Sequence, residues 1–302
     1  METVLITGGN GLLGRHLCDK LPENGYRPAI LSRKPVRSSG IECYRWDPDK
    51  GEIDMEALAR TDYVIHLTGV NIGGGRWTRK RKKLIIDSRV KTGKFLFDKM
   101  KESGTQLKAF VSISGTGYYG SVTSEKIFAE TDEAADDFLG NVCRQWEEMA
   151  FKFADKGIRT VIIRSAPVLT RSGGILGSMS VPVRLGIGSP IGTGKQYFPW
   201  IHAEDLCSIF IKAVGDVNMS GVFNTASPEH TTNRDFIRIL AGVLKKPFWF
   251  PPIPVFLMKI IFGEMSEMLL TGSRISSDKI RSSGYVFKFP GLETALKNLL
   301  EG

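Results

Sequence analysis

Residues Val4 to Gly14 read Val-Leu-Ile-Thr-Gly-Gly-Asn-Gly-Leu-Leu-Gly, a short apolar run that stops on glycines at 8, 11 and 14. An apolar run of this length suits a strand buried on both faces of a parallel sheet. Glycines at this spacing let the chain turn tightly, aim backbone N–H groups and the next helix's N-terminus at a pyrophosphate, and leave no Cβ to hold a ligand off. The helical spacing of Leu12, Leu13, His16, Leu17 and Leu21 supplies that following helix. Strand, turn and helix together imply a dinucleotide site, where the glycines alone would mark only a strand-to-helix turn. Thr7, Gly8, Asn10, Gly11, Leu12 and Leu13 are its candidate contacts.

The alternation continues along the chain. Apolar runs predict strands near 3–7, 28–32, 42–45, 63–67, 108–114 and 159–164, and helical patterns cover 12–24, 79–103 and 138–156. Such alternation means an α/β fold with a doubly wound parallel Rossmann sheet. Residues 167–202 are rich in glycine and proline with few periodic runs, which predicts loops and short elements. A helix over 205–214 and a strand over 221–225 then rejoin the sheet. Thr232-Asn-Arg-Asp235 resembles a capping box before a helix from Phe236 to Leu244, and further helices are expected over Val255–Leu270 and Gly291–Leu300. The expected division is a Rossmann domain of residues 1–166 and 203–227, with 167–202 and 228–302 forming a small C-terminal α/β substrate lobe.

Composition narrows the class. With 302 residues, 42% hydrophobic and 24% charged, the chain can bury one large or two modest cores. Its most apolar stretch, Phe248–Phe262, is interrupted by Pro251, Pro252, Pro254 and Lys259 and falls short of the ~20 residues a bilayer needs. No membrane partner is therefore expected, and with no basic leader before the first strand the expected location is cytoplasmic. Cys18, Cys43, Cys143 and Cys207 lie far apart without a Cys-x-x-Cys or clustered histidines, so no metal site and no disulfide framework is indicated. The net charge is +9, but Arg76, Arg79, Lys80, Arg81, Lys82 and Lys83 put six cations in eight residues, so the basicity is local. Only Trp77 interleaves and no nucleic-acid module is present, so a solvated loop and helix start is expected rather than a nucleic-acid partner.

Thr7-Gly-Gly-Asn-Gly-Leu-Leu-Gly14, Ser112-Ile-Ser-Gly-Thr-Gly-Tyr-Tyr-Gly120 and Trp200-Ile-His-Ala-Glu-Asp-Leu206 make the chain similar to the extended short-chain dehydrogenase/reductases. Asn71-Ile-Gly-Gly-Gly-Arg-Trp77, Asp87-Ser-Arg-Val90, Val142-Cys-Arg-Gln-Trp-Glu147, Gly192-Thr-Gly-Lys-Gln196 and Phe262-Gly-Glu-Met265 narrow this. Together they resemble an atypical NAD(P)-dependent epimerase/dehydratase-like subfamily sometimes labelled a cell-division inhibitor. The resemblance runs from end to end. It implies that Trp46 and Asp47 lie near an adenine, that Leu67, Thr68 and Gly69 face the cofactor, and that Arg89 and Pro167 line it. Read from the residues alone, Trp46 suits a core, Asp47 a cap before Pro48, and Arg89 a surface cation.

Charge bears on which cofactor. Where NAD is preferred, an acid ~20 residues past the last glycine bonds the ribose 2′-hydroxyl. Here the chain reads Ser32-Arg33-Lys34, 19 residues after Gly14 at Arg33, with no acid to repel a 2′-phosphate. NADP is the expected cofactor.

Reductases of this superfamily carry a Tyr and a Lys four residues apart on one helix face, the ammonium lowering the phenol's pKa from ~10 toward neutrality. None of the seven tyrosines has a Lys four residues on, and aligning on Trp146-Glu147 puts Leu139 and Cys143 where the pair belongs. Ser114 and Tyr118, at a strand's carboxyl end, remain as catalytic candidates. His202 reads as a helix cap, and Lys195 as a solvated side chain. Two functions stay open. One is an NADP-dependent oxidoreductase or epimerase on an unknown small molecule; the other is a non-catalytic NADP(H)-sensing protein, with a homodimer as an open arrangement.

A charge-assisted hydrogen bond from Arg33 is worth ~1.5–3 kcal/mol, or ~10- to 100-fold in affinity. Arg33→Ala is therefore expected to move the ratio of NADPH to NADH dissociation constants toward parity by about that factor in calorimetric titrations. An unchanged ratio removes Arg33 from the site.

Overall fold

The computed structural model of the chain describes residues 1–34, 40–171 and 173–301. In chain order the first half runs β1 Glu2–Thr7, α1 Leu12–Lys20, β2 Tyr26–Ser32, β3 Glu42–Asp47, β4 Glu52–Ile53, α2 Met55–Ala59, β5 Tyr63–His66, α3 Arg79–Ser103, β6 Ala109–Gly115, β7 Ile127–Phe128 and α4 Phe138–Ala154. The second runs β8 Arg159–Ser165, β9 Val168–Thr170, α5 Gly174–Arg184, β10 Ile201–His202, α6 Ala203–Gly215, β11 Gly221–Thr225, α7 Asn233–Val243, α8 Val255–Phe262, α9 Glu267–Leu270, β12 Arg274–Ile275, α10 Asp278–Ser282 and α11 Leu292–Glu301.

Eight strands form one sheet in the order β11-β8-β6-β5-β1-β2-β3-β4. Every pair is parallel except β3–β4. The chain winds outward from β1 through β2 and β3, then crosses back to β5 and winds the other way. The reversal falls between β1 and β5, where the carboxyl ends of strands open the crevice in which such sheets bind ligands.

Continuous apolar runs make this sheet because both faces are covered. Val4, Ile6, Ile65, Val111 and Ile163 pack with Leu17 and Leu21 near α1 and with Leu206 and Phe210 of α6. The alternate residues Leu5, Val64, Phe110 and Ile162 pack with Leu96 and Met100 of α3 and Met149 and Phe153 of α4. A separate core, built on Leu176, Trp200, Phe236, Leu240 and Leu296, joins α5, α7 and α11.

The structure departs from the sequence-based expectation, besides the short β7–β12 pair and α10, in three larger features. The short β4 and α2, unanticipated, close the β3 edge. An eleven-residue helix, α5, stands where loops were expected; small residues and an internal Pro182 hide its buried stripe of Leu176, Ser180 and Val183. The single helix expected over Val255–Leu270 is broken into α8, a 3-10 turn at Gly263–Ser266 and α9, because Gly263 takes φ +60°. Among the described residues no helix is long and apolar enough to cross a membrane.

One contact locks α1 to the sheet. A Cβ on Gly14 would lie 2.5 Å from Gly9 Cα and 2.6 Å from Gly8 O, both backbone atoms that cannot swing aside. Gly14→Ala is expected to cost about 1–3 kcal/mol in urea unfolding and to weaken NADPH binding with it. Wild-type stability in the variant would mean that α1 can lift without cost.

Candidate functional site

The site grows from the end of β1. Gly8 takes φ +73° to turn the chain back, and Gly11 N–H donates to Gly8 O at 2.9 Å. A Cβ on Gly8 would meet Leu67 and Thr68 backbone at 3.2–3.3 Å, so the turn is seated on the segment after β5. Thr7 joins the same two strands: its Oγ1 accepts the Leu67 N–H at 3.2 Å and lies 2.8 Å from His66 Nδ1. Among the described residues His66 Nε2 is buried without a hydrogen-bond partner. Burial pushes His66 down to about 4, so it is neutral at pH 7.

α1 begins at Gly11 with no side-chain cap and no acid in its first turn. Its free N–H groups are suited to an anion. Asn10 Nδ2 donates to Ser32 Oγ at 2.9 Å, and Ser32 Oγ in turn donates to Lys34 O, drawing the end of β2 to the glycine turn. Arg33 and Lys34 are exposed there, just before residues 35–39, which lie outside the described structure. Leu13 packs on the core, while Leu12 is 41% exposed and reaches the start of α5 near Gly174.

Arg89 is buried, which excludes the surface-cation reading. Its Nη1 donates to Ile85 O at 2.9 Å and Nη2 to Val70 O at 3.1 Å, and its guanidinium lies 4.8 Å from the Trp146 ring. A Cβ on Gly69 would come within 2.9 Å of its Cζ. Burial lowers its pKa to about 10, which still leaves it charged at pH 7. Arg89 Nε and Thr68 Oγ1 are buried without a partner among the described residues. Unpaired polar atoms, an uncapped helix and a turn without Cβ atoms fit a phosphate-bearing dinucleotide.

Thr7, Gly8, Asn10, Gly11, Ser32, Leu67, Thr68, Gly69 and Arg89 thus surround one crevice. Trp46 and Asp47 end β3, just past Arg45, the parallel partner of Ser32. Trp46 is buried in the core 6.1 Å from the Phe95 ring, and Asp47 accepts the Asp49 N–H in the turn leading out of β3. Pro167 gives its carbonyl to Ile201 N–H between β9 and β10. His202 caps α6 by accepting the Glu204 N–H, and Lys195 is exposed.

The catalytic candidates belong to a buried network. Ser114 Oγ donates to Glu147 Oε1 at 2.7 Å, and Arg164 closes on the same carboxylate through Nε (2.9 Å) and Nη2 (2.8 Å). Arg164 Nη1 donates to Tyr119 Oη at 2.9 Å, and Tyr119 donates to Asn224 Oδ1 at 2.7 Å. Burial alone would lower Arg164; the hydrogen bonds and charge of Glu147 reverse this and hold it above its ordinary value. Burial pushes the Tyr119 phenol up to about 12. Tyr118 is half-buried, with its ring 3.3 Å from the Arg164 guanidinium.

Where the superfamily carries its Tyr and Lys, Leu139 faces Gly117, and burial pushes the Cys143 thiol up to about 12. Neither can relay a proton near pH 7. Leu139 packs with Trp77, Ile85, Val142 and Met265 into an apolar cluster beside the end of β6. The sequence reading assigned no role to Glu147 or Arg164. The missed signal was a charge on the apolar face of α4, at Glu147 among Val142, Cys143, Trp146 and Ala150, and another at the end of the apolar run of β8, tolerated there only as a pair.

Residues 4–226 match the NAD dependent epimerase/dehydratase family, and residues 253–299 match a domain of unknown function (DUF1731). The chain belongs to the NAD dependent epimerase/dehydratase family. It is 35% identical to epimerase family protein SDR39U1 of Bos taurus, over 98% of this chain and 99% of that one. Identity to epimerase family protein YfhF of Bacillus subtilis is 32%, covering 98% and 97%. The crystal structure of human epimerase family protein SDR39U1 (isoform2) with NADPH superposes with a TM-score of 0.88 at 32% identity, covering 99% of both chains.

His66 gives the site a pH signature. The unfolded chain takes up this proton as pH falls below ~6.5, but the native imidazole, held at about 4, does not. Stability from this group is complete above ~6.5 and is lost as pH falls toward 4. Between about pH 7 and pH 4.5 the loss is roughly 2–3 kcal/mol. His66→Gln is expected to flatten the pH dependence of the urea-derived unfolding free energy by that amount; parallel profiles would mean that the native imidazole takes up its proton over the same pH range as the unfolded chain.

Proposed function

We propose that the chain binds NADPH in the crevice between β1 and β5 and acts as an NADP-dependent oxidoreductase or epimerase on a small molecule. The glycine turn, the uncapped α1 and the charged Arg89 receive the pyrophosphate and riboses, and Arg33 receives the 2′-phosphate. The observation that carries this reading is the turn itself, in which Gly8 and Gly14 sit too close to backbone to admit a side chain. The likeness to a relative solved with NADPH supports it. When bound, the nicotinamide supplies or accepts a hydride.

The accompanying proton is the distinctive point. With Leu139 and Cys143 in place of the usual pair and the Ser114 hydroxyl already hydrogen-bonded to Glu147, we assign the exchange to Tyr118, the remaining candidate just past the end of β6. Ser114 acts by holding Glu147. The free state of all four cysteines among the described residues suits a reducing compartment, and we assign the protein to the cytoplasm.

A second reading has its own support. The same locked network and apolar neighbourhood suit a protein that holds NADP(H) without turnover and reports redox state. Calorimetry with NADPH, followed by its absorbance in the presence of a panel of small carbonyl compounds, separates the two. We expect NADPH to bind at least tenfold more tightly than NADH, some carbonyl compound to consume it, and Tyr118→Phe to lower that rate at least ~100-fold, as loss of a general acid does. Tight binding with no consumption favours the sensor. No heat with either coenzyme overturns both.

A further inference from the structure

α8 holds seven apolar residues in eight, Val-Phe-Leu-Met-Lys-Ile-Ile-Phe. A helix apolar all round is ordinarily buried on all sides, yet here only Met258 is buried. Phe256 is 63% exposed, Ile260 67% and Ile261 55%. The preceding loop adds Trp249, 70% exposed. Ile253 N–H donates to Pro190 O and Gly192 N–H to Ile253 O, both at 2.9 Å, which sets residues 185–192 alongside. That strip contributes Leu185, 70% exposed, and Ile187, 47% exposed. Three adjoining segments therefore leave large apolar side chains in water. Such a surface marks an interaction site rather than ordinary scatter.

Charge selects the occupant. Residues 173–203 and 236–263 contain no Asp or Glu, while Arg184, Lys245, Lys246 and Lys259 are exposed within the same segments. A second copy seated through a two-fold interface would oppose these cations with themselves. An anionic surface is attracted by every one of them. An exposed Trp beside aliphatic residues, with lysines around them, is the arrangement that rests at a lipid headgroup boundary. Pro247, Pro251, Pro252 and Pro254 restrict the loop, so little freedom is lost on docking.

We propose that this face of the C-terminal lobe lies on an anionic phospholipid bilayer, with Trp249, Phe256 and Ile260 entering the interface and Lys245, Lys246 and Lys259 meeting phosphates. Sequence reasoning expected no membrane partner because no segment spans a bilayer; a surface-lying mode needs no span.

The test is co-sedimentation of the full chain with vesicles of phosphatidylcholine alone and of phosphatidylcholine with phosphatidylglycerol. The chain is expected to bind the second and not the first, and to release as salt rises. Two variants at exposed positions carry the attribution. Trp249→Ser/Phe256→Ser/Ile260→Ser is expected to lower partitioning more than tenfold, and Lys245→Gln/Lys246→Gln/Lys259→Gln on the order of tenfold or more. Both should keep the wild-type unfolding curve and NADPH binding, so failure here leaves the cofactor reading untouched. The proposal is overturned if the chain stays in solution with anionic vesicles or if either variant binds as the wild type does. It is equally overturned if sedimentation equilibrium finds a dimer that the serine variant makes monomeric.

Discussion

The close approach of α1 to β1 is the constraint on which the rest of the structure depends. Gly14 touches the backbone of Gly8 and Gly9, and Gly8 touches the segment after β5. With no Cβ at either point, the helix N-terminus sits over the switch point of the sheet instead of beside it. Thr7 and His66 then brace the two central strands from within. Every group assigned to the cofactor is placed relative to this brace, including the end of β2 through Asn10 and Ser32.

Farther along the same edge, a buried polar network replaces an apolar core. Ser114, Glu147, Arg164, Tyr119 and Asn224 link β6, α4, β8 and β11 in one buried chain of hydrogen bonds. A buried ion pair contributes little net stability compared with an apolar replacement, but removing one partner leaves an unpaired charge at a cost of about 3–5 kcal/mol. The network therefore fixes geometry more than it adds stability. It also engages the hydroxyl of Ser114, one of the two catalytic candidates. Half of the basic cluster is engaged: Lys82 pairs with Glu264, Lys83 with Asp87, and Arg81 donates to Asn71 O, while Arg76, Arg79 and Lys80 are exposed. Through Lys82 it helps hold the segment after α8 against α3, beside the apolar cluster of Trp77 and Leu139. α8 itself leaves Phe256, Ile260 and Ile261 exposed.

Much of this was legible in the residues. The parallel, doubly wound sheet follows from apolar runs alternating with helical periodicity, because strands covered on both faces have no polar side to show. The glycine turn and Ser32-Arg33-Lys34 are local signals, and their neighbourhood is decided by chain direction alone. α5 and the break at Gly263 were not legible. Proline and small residues dilute the helical stripe of the first, and the second rests on a single backbone angle.

What the sequence determined by itself is therefore the sheet, the position of the turn on it and the absence of the Tyr–Lys pair, since each depends on residues adjacent in the chain or on one helix. Tertiary structure alone decided that Trp46 is core, that Arg89 is buried with carbonyl partners, that Ser114 answers to Glu147, and that α8 faces water. These depend on residues tens of positions apart being brought into contact. No periodicity records which of two buried charges will meet, or which apolar helix will be left without a neighbour.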